Sequence, residues 1–397
     1  MQREEYPGFT ALFSSSASRR LPRPSRGVLS ADVYSDVFCR GVIFSLCTPC
    51  LSSFTSSISP VAPFAIFPYI DLVRPFVPHP ALRNPHLMTL AATYWLRHFS
   101  FQSATEDRYF ETEPGTRILA RCNWQPEPQR RPTLVLVHGL EGSSESGYML
   151  GTAARALEAG FNVIRLNQRN CGGTDHLSPT LYNSGLTHDF HAVVRILIER
   201  YALPELFLAG FSMGGNLVLK TAGEMSAAAP PQLRAICAVA PSLDLAAGAD
   251  ACDTRRNCIY RWHFVSKLKE RFRRKVMLFP QRYSLDGLDS VRTIRQFDDV
   301  VTAPAFGFRD SSDYYYRSSA LRVIEQVHVP ALVIAAEDDT LVPFHPFRDP
   351  ALTSNPHITL ITTTHGGHCG FISASDGPER FWVEPRLVEF CLQHSSL

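Results

Sequence analysis

The chain has 397 residues, 45% of them hydrophobic, which is enough to fill one large core or two ordinary ones and points to a globular protein. Lys and Arg total 39 against 37 Asp and Glu, a net charge of +2, so no global field singles out nucleic acid or an acidic partner. The ten cysteines are scattered through a chain far too long to need a disulfide framework, and reduced thiols are the simpler assumption.

Residues 1–80 read as a leader, a disordered or weak targeting or anchor segment. The stretch SSSASRRLPRPSRG is basic, Ser-rich and broken by proline, and an uncharged tract follows from Gly41 to Ile70. That tract exceeds the roughly 20 residues a membrane helix requires, but Pro49, Pro60, Pro63 and Pro68 interrupt it and serines dilute it. The pair Cys47 and Cys50 has the CxxC spacing without a second pair, so neither a metal nor a cofactor is assigned. The leader leaves a cytoplasmic location with membrane association as the alternative.

The remainder, residues 81–397, reads as one domain. ALRNPHLMTLAATYWLR predicts an entry loop and a short amphipathic helix packing through Leu87, Leu90, Ala91, Tyr94 and Trp95. Arg108–Glu111 and Arg117–Trp124, separated by EPGT, suit an antiparallel hairpin. After Pro132 short apolar runs alternate with helical patterns near 149–158 and 189–201, implying βαβ crossovers and a mostly parallel sheet with helices on both faces. The rhythm continues through Ala235–Pro241, stops over an aromatic and basic insertion at about 246–328, and resumes at ALVIAAEDD. A lid over the sheet's carboxyl edge is the natural place for that insertion. Within it KLKERFRRK, Lys267–Lys275, predicts a solvated helical face, with contact to anionic lipid the minority alternative. A strand near 357–362, the loop HGGHCGF and a helix near 379–393 close the chain.

LFLAGFSMGGNLVLK, Leu206–Lys220, is strand, GFSMGG turn and helix, which fits a nucleophile elbow with Ser212 on the turn. Gly210 and Gly214 stand where side chains would collide across so tight a reversal. A serine hydroxyl needs a base, itself held by a third group. Chain order in this fold puts an acid and then a histidine after the serine. Asp339 follows the buried run Ala331–Ala336 and is taken as the acid, with Asp338 as the alternative and capping of a following turn as the bland role for both. His368, flanked by glycines past the last strand, is taken as the base, with His365 as its rival among 14 histidines. The backbone N–H groups of Met213 and Leu140 are the expected oxyanion donors. NQRNCGG, Asn167–Gly173, is expected to brace the loops beside the site, with lining the site as the alternative.

RNPHLMTL, HGLEGSS, NQRNCGGT and GFSMGGN occur in this order, followed by FDDVVTAPAFGF, DYYYRSS, AAEDD and GGHCGF. Together they resemble the YheT-like branch of the α/β-hydrolase superfamily, which also contains the animal ABHD lipid hydrolases. The resemblance covers roughly residues 80–395 and implies an α/β-hydrolase fold and serine hydrolase chemistry on carboxylic esters, with Ser212, Asp339 and His368 at the triad positions. Some relatives act on acyl lipids and some carry an amino-terminal anchor. Asn170 departs from the family pattern, which usually has glycine after the arginine of NQRNCGG. The expected activity is metal-free, cofactor-free hydrolysis of medium or long acyl esters or lipids through an acyl-enzyme. Acyl transfer by the same triad and a silent binding module are the alternatives.

Overall fold

The computed structural model describes residues 74–396; the apolar tract of the leader and the Cys47/Cys50 pair lie outside the described residues. Eight strands form one sheet in the order β1-β2-β4-β3-β5-β6-β7-β8. The hairpin Glu106–Glu113 (β1) and Thr116–Asn123 (β2) turns at Gly115, whose φ of 76° favours glycine, and supplies the antiparallel edge through β2 and Asn162–Leu166 (β4). Thr133–Val137 (β3), Leu206–Phe211 (β5), Leu233–Val239 (β6), Ala331–Ala336 (β7) and Ile358–Thr363 (β8) pair in parallel with their neighbours, as β3 does with β4.

β5 and β7 are apolar throughout, and β3, β4 and β6 nearly so, because both faces are covered. Alternate residues feed two cores: Val135, Val137, Leu206 and Leu208 pack on one side, Leu134, Leu136, Phe207 and Ala209 on the other. The first core is completed by His188–Glu199 (α3) and Met213–Met225 (α4), through Val193, Leu197, Leu217 and Val218. Gly147–Glu158 (α2) and the last helix, Val383–Gln393 (α11), complete the second through Met149, Ala153, Leu387 and Phe390. The strand order reverses direction around β3, with β4 on one flank and β5 on the other. Ligands in such sheets bind in the crevice beyond the carboxyl ends at that reversal, which is where the turns after Val137 and Phe211 lie.

The entry helix, Pro85–Tyr94 (α1), starts as its sequence dictates: Pro85 occupies the first turn and Asn84 caps it, accepting from the N–H groups of His86 and Leu87. Its buried face is not the expected one. Met88 and Thr89 are buried, whereas Leu87, Tyr94 and Trp95 are exposed, because Met88 packs against the Gly367–Gly370 loop. Residues 74–80, read from sequence as leader, are already attached: Phe76 packs on Phe371 and Trp382, and Pro78 bridges to Ser373.

The insertion after β6 is helical: Leu245–Cys252 (α5), Cys258–Leu278 (α6), Ile294–Phe297 (α7), a π-helical turn Asp298–Thr302, Ala303–Phe306 (α8) and Ser311–Ser318 (α9). A small core of its own includes Val265, Leu268, Phe272, Phe297 and Val301. The short Pro350–Thr353 (α10) lies between β7 and β8. The stretch Lys267–Lys275 is only in part a solvated face: Lys267, Glu270 and Arg273 are exposed, but Arg271 and Lys275 share the buried stripe of α6 with Leu268 and Phe272, since residues three and four apart lie on one side of a helix. The final helix is also shorter than its sequence pattern, with a separate 3-10 turn at Gly377–Arg380 before α11. Among the described residues no helix is long and apolar enough to cross a membrane.

Packing across the sheet makes a definite stability prediction. Phe207 is fully buried, with its ring 5.6 Å from Phe161 in edge-on contact. Phe207→Ala should destabilise the domain by about 3–5 kcal/mol, read as a lower urea midpoint with little change in slope.

Candidate active site

The turn between β5 and α4 places Ser212 at φ 55° and ψ −121°, a conformation a serine adopts only under constraint. The constraint is visible on both sides. A Cβ on Gly210 would overlap the Gly214 carbonyl, and one on Gly214 would overlap that of Val137, so the chain reverses in a space that only glycine backbone fits. Ser212 N–H donates to Val239 O at 2.8 Å, tying the strained residue to β6.

His368 reaches the serine from the loop after β8. Its Nε2 lies 2.9 Å from Ser212 Oγ, and its Nδ1 lies 2.8 Å from Asp339 Oδ2. An ionised carboxylate only accepts, so Nδ1 carries the proton and Nε2 is left to accept from the serine hydroxyl. Asp339 is buried, and its other oxygen accepts from Leu341 N–H at 2.8 Å and Val342 N–H at 3.0 Å. The capping and histidine-orienting roles thus coexist in one carboxylate. The two rivals pair with each other instead: Asp338 Oδ2 lies 3.2 Å from His365 Nδ1, and Asp338 Oδ1 accepts from Gly367 N–H at 2.9 Å. One contact is absent from the sequence expectations. Thr89 Oγ1 accepts from His368 N–H at 2.9 Å while donating to Pro85 O at 2.8 Å, so α1 fixes the histidine's backbone. Only the recurrence of RNPHLMTL in the family pattern hinted at it.

Cys369, next to the histidine, also has positive φ, 55°. Burial, reinforced by Asp339, pushes its thiol well above the ordinary value and keeps it protonated, so it offers no competing nucleophile.

The turn after β3 runs against the serine; a Cβ on Gly139 would stand 3.1 Å from Ser212 Cβ. Its amides are accounted for one by one. Gly139 N–H donates to Tyr148 Oη at 3.1 Å, Glu141 N–H to Tyr182 Oη at 3.3 Å, and Gly142 N–H to Gly139 O at 3.1 Å. Leu140 N–H is the amide these bonds leave, and Leu140 lines a cavity together with Ser212 and Met213. His138 braces the same turn. Burial lowers it to about 4, so it is neutral, with Nδ1–H donating to Gly139 O at 2.8 Å and Nε2 accepting from Gln168 N–H at 3.1 Å.

Behind the turn lies a buried charge network. Glu141, at φ 56°, accepts from Tyr182 Oη at 2.7 Å and from Arg271 Nη2 at 2.9 Å, and Arg271 Nη1 also donates to Asn170 O. Lys275 Nζ donates to Asn170 Oδ1 at 2.5 Å, to Asp175 O at 2.8 Å and to Ser178 O. Asn170 has φ 66°, a left-handed conformation that asparagine tolerates better than most residues, and its side chain gives the lysine an acceptor that glycine lacks. NQRNCGG therefore has the expected bracing role, and its residues line neither of the two cavities at Ser212.

Those two cavities meet at the serine, and both include Leu140, Phe264, Leu341 and His368 in their walls. The first, about 1010 Å³ with its mouth included, runs under the insertion past Leu181, Leu268, Phe272 and Phe297. Asp298 also borders it, buried and raised to about 6 by that burial, its oxygens accepting from Tyr315 Oη and Thr302 Oγ1 at 2.6 Å each. The second, about 1630 Å³ on the same measure, opens between α1 and the start of α6.

A family model described as the alpha/beta hydrolase fold matches residues 132–375. The chain belongs to that family. Relatives of this α/β hydrolase lie along the YheT-like branch. YheT of Escherichia coli, which carries an esterase designation, is 29% identical over 79% of this chain and 92% of its own length. Phospholipase ABHD3 of Mus musculus is 30% identical over 61% of this chain, which spans only 59% of that enzyme. The solved Pyrococcus furiosus esterase Pf2001 shares the fold, with a TM-score of 0.50 and 17% identity over 75% of this chain and 97% of its own.

Lys275 gives the site a pH signature. Desolvation lowers it from 10.5 to about 8, so the unfolded chain holds this proton over a range where the folded chain has released it. Relative to Lys275→Met, the wild type should gain stability as pH rises from about 8 to 10.5 and be flat below. Melting temperatures of the two proteins across that range check the sign.

Proposed function

We propose that this chain is a serine hydrolase of carboxylic esters, acting through an acyl-enzyme on Ser212. The observation that carries it is the hydrogen-bonded relay from Ser212 Oγ to His368 at 2.9 Å and on to Asp339 at 2.8 Å, on a strained turn at the meeting point of two cavities. In this reading His368 takes the serine proton as Oγ attacks the ester carbonyl, and Asp339 stabilises the imidazolium without taking a proton itself. The oxyanion is received by the N–H groups of Leu140 and Met213, helped by the positive end of α4. His368 then protonates the departing alcohol, and water activated by the same imidazole releases the acid.

The substrate reading follows from the walls. The cavity beneath the insertion presents apolar side chains, and the polar atoms of Arg271 and Asp298 are engaged by protein partners, so a medium or long acyl chain is what it would desolvate favourably. The insertion serves as the lid over that chain. The esterase and phospholipase designations of the relatives agree with ester or lipid hydrolysis.

Fluorophosphonate labelling and turnover of nitrophenyl esters of graded length test this directly. Ser212→Ala should abolish both, a loss of about 10⁴-fold or more. Asp339→Asn should cost about 10³–10⁴-fold in kcat, whereas Asp338→Asn, which loosens only the His365 pair, should cost less than about tenfold. Equal losses for the two carboxylates would reassign the acid, and a preference for acetyl over longer esters would sink the long-chain version.

A further inference from the structure

We infer that α1, its exit and the first turns of α6 together form a docking face for an anionic lipid surface, set around the mouth of the wider cavity. The apolar exposure there is concentrated. Leu96 is 89% exposed, Trp262 71%, Ile259 and Tyr94 70% each, and Leu87 and Trp95 are exposed beside them. Single exposed hydrophobes need no explanation, but a contiguous group of this size marks an interaction site.

The two segments are neighbours, since His86 on α1 stacks on Tyr260 of α6 with ring centroids 5.7 Å apart. Tyr94, Ile259 and Trp262 also line the cavity that ends at Ser212. The patch is therefore the rim of an entrance.

Charge selects the partner. From residue 72 to 105 and from 254 to 269 the sequence contains no Asp or Glu, while Arg83, Arg255 and Arg256 are exposed within these stretches. The acidic groups of the adjoining segment are engaged: Asp376 with Arg380, Glu379 with Arg386 and Glu384 with Arg97. Tryptophan, tyrosine and leucine mixed with unopposed arginine is the composition of a helix face lying in a bilayer interface, the apolar side chains entering the headgroup boundary and the cations meeting anionic lipid. A second copy docking through this same face would have to bury these arginines against a like-charged surface. The orientation of the entrance toward lipid rests on the ester-hydrolase reading above; the docking itself does not.

The test uses the full chain with Ser212→Ala, so that turnover cannot consume the vesicles. Partitioning is measured by flotation with phosphatidylcholine vesicles, with and without about 30% phosphatidylserine. Binding to the anionic vesicles is expected, weakening as salt is raised, with Leu87→Asp/Leu96→Asp lowering the partition coefficient at least about tenfold. Arg255→Ser/Arg256→Ser should lower it by about fivefold per arginine on anionic vesicles and leave neutral ones unaffected. Unchanged melting temperatures establish that the variants are folded. Absence of binding, binding that the leucine variant retains in full, as docking through residues 1–73 would give, or a wild-type dimer that the variant converts to monomer would each overturn the proposal. Fluorophosphonate labelling and hydrolysis of nitrophenyl esters of graded length by the Ser212-intact chain are scored separately, and the absence of both would sink the hydrolase reading while leaving the partition result intact.

Discussion

Everything in this site is arranged against one backbone conformation. Ser212 is held at positive φ between a buried strand and a helix, a state that costs on the order of 1–3 kcal/mol and persists only where the surroundings over-determine it. Here the surroundings are the carbonyls of Val137 and Gly214, the hydrogen bond to Val239 O and the cores on both sheet faces. Glu141, Cys369 and Phe371 also have positive φ, so the turn after β3 and the loop after β8 carry the same kind of strain. Strain gathered on three turns at one sheet edge brings a hydroxyl and an imidazole together beside the turn after β3.

The insertion is joined to that point by charge rather than by packing alone. Arg271 and Lys275 leave the solvent to meet Glu141, Asn170 and two loop carbonyls, and burying such groups costs several kcal/mol unless every polar atom finds a partner. The geometry fixes where α6 can sit, because the acceptors belong to the turn beside Leu140 and to the brace behind it. An insertion seated this way is coupled through Glu141 to the turn after β3, and the asparagine at position 170 becomes intelligible as a left-handed residue that also holds a lysine.

Two cavities converge on His368. The wall under the insertion is largely apolar, whereas the entrance between α1 and α6 runs along His368 to Gly370. Thr89 links the two halves of this arrangement by holding the histidine backbone from the helix that borders the entrance.

Local pattern was sufficient for most of the scaffold. Alternation of buried strands with helices and the glycines around Ser212 are short-range features, and β3, β4 and β7 end where their apolar runs end. Which of two adjacent carboxylates and two nearby histidines pair was not decided by pattern, because Asp338 and Asp339 differ only in which way the loop turns them after β7. The buried stripe of α6 was misread for a related reason: a run of lysine and arginine at helical spacing is normally solvated, and only contact with Glu141, Asn170 and Asp175 makes burial favourable. The packing of Met88 in place of Leu87 and the bond from Thr89 to His368 arise from a loop nearly three hundred residues away. Sequence determined the elements and the chemical types at their ends; which of those groups meet, and which charges are buried, was settled by contacts between segments remote in the chain.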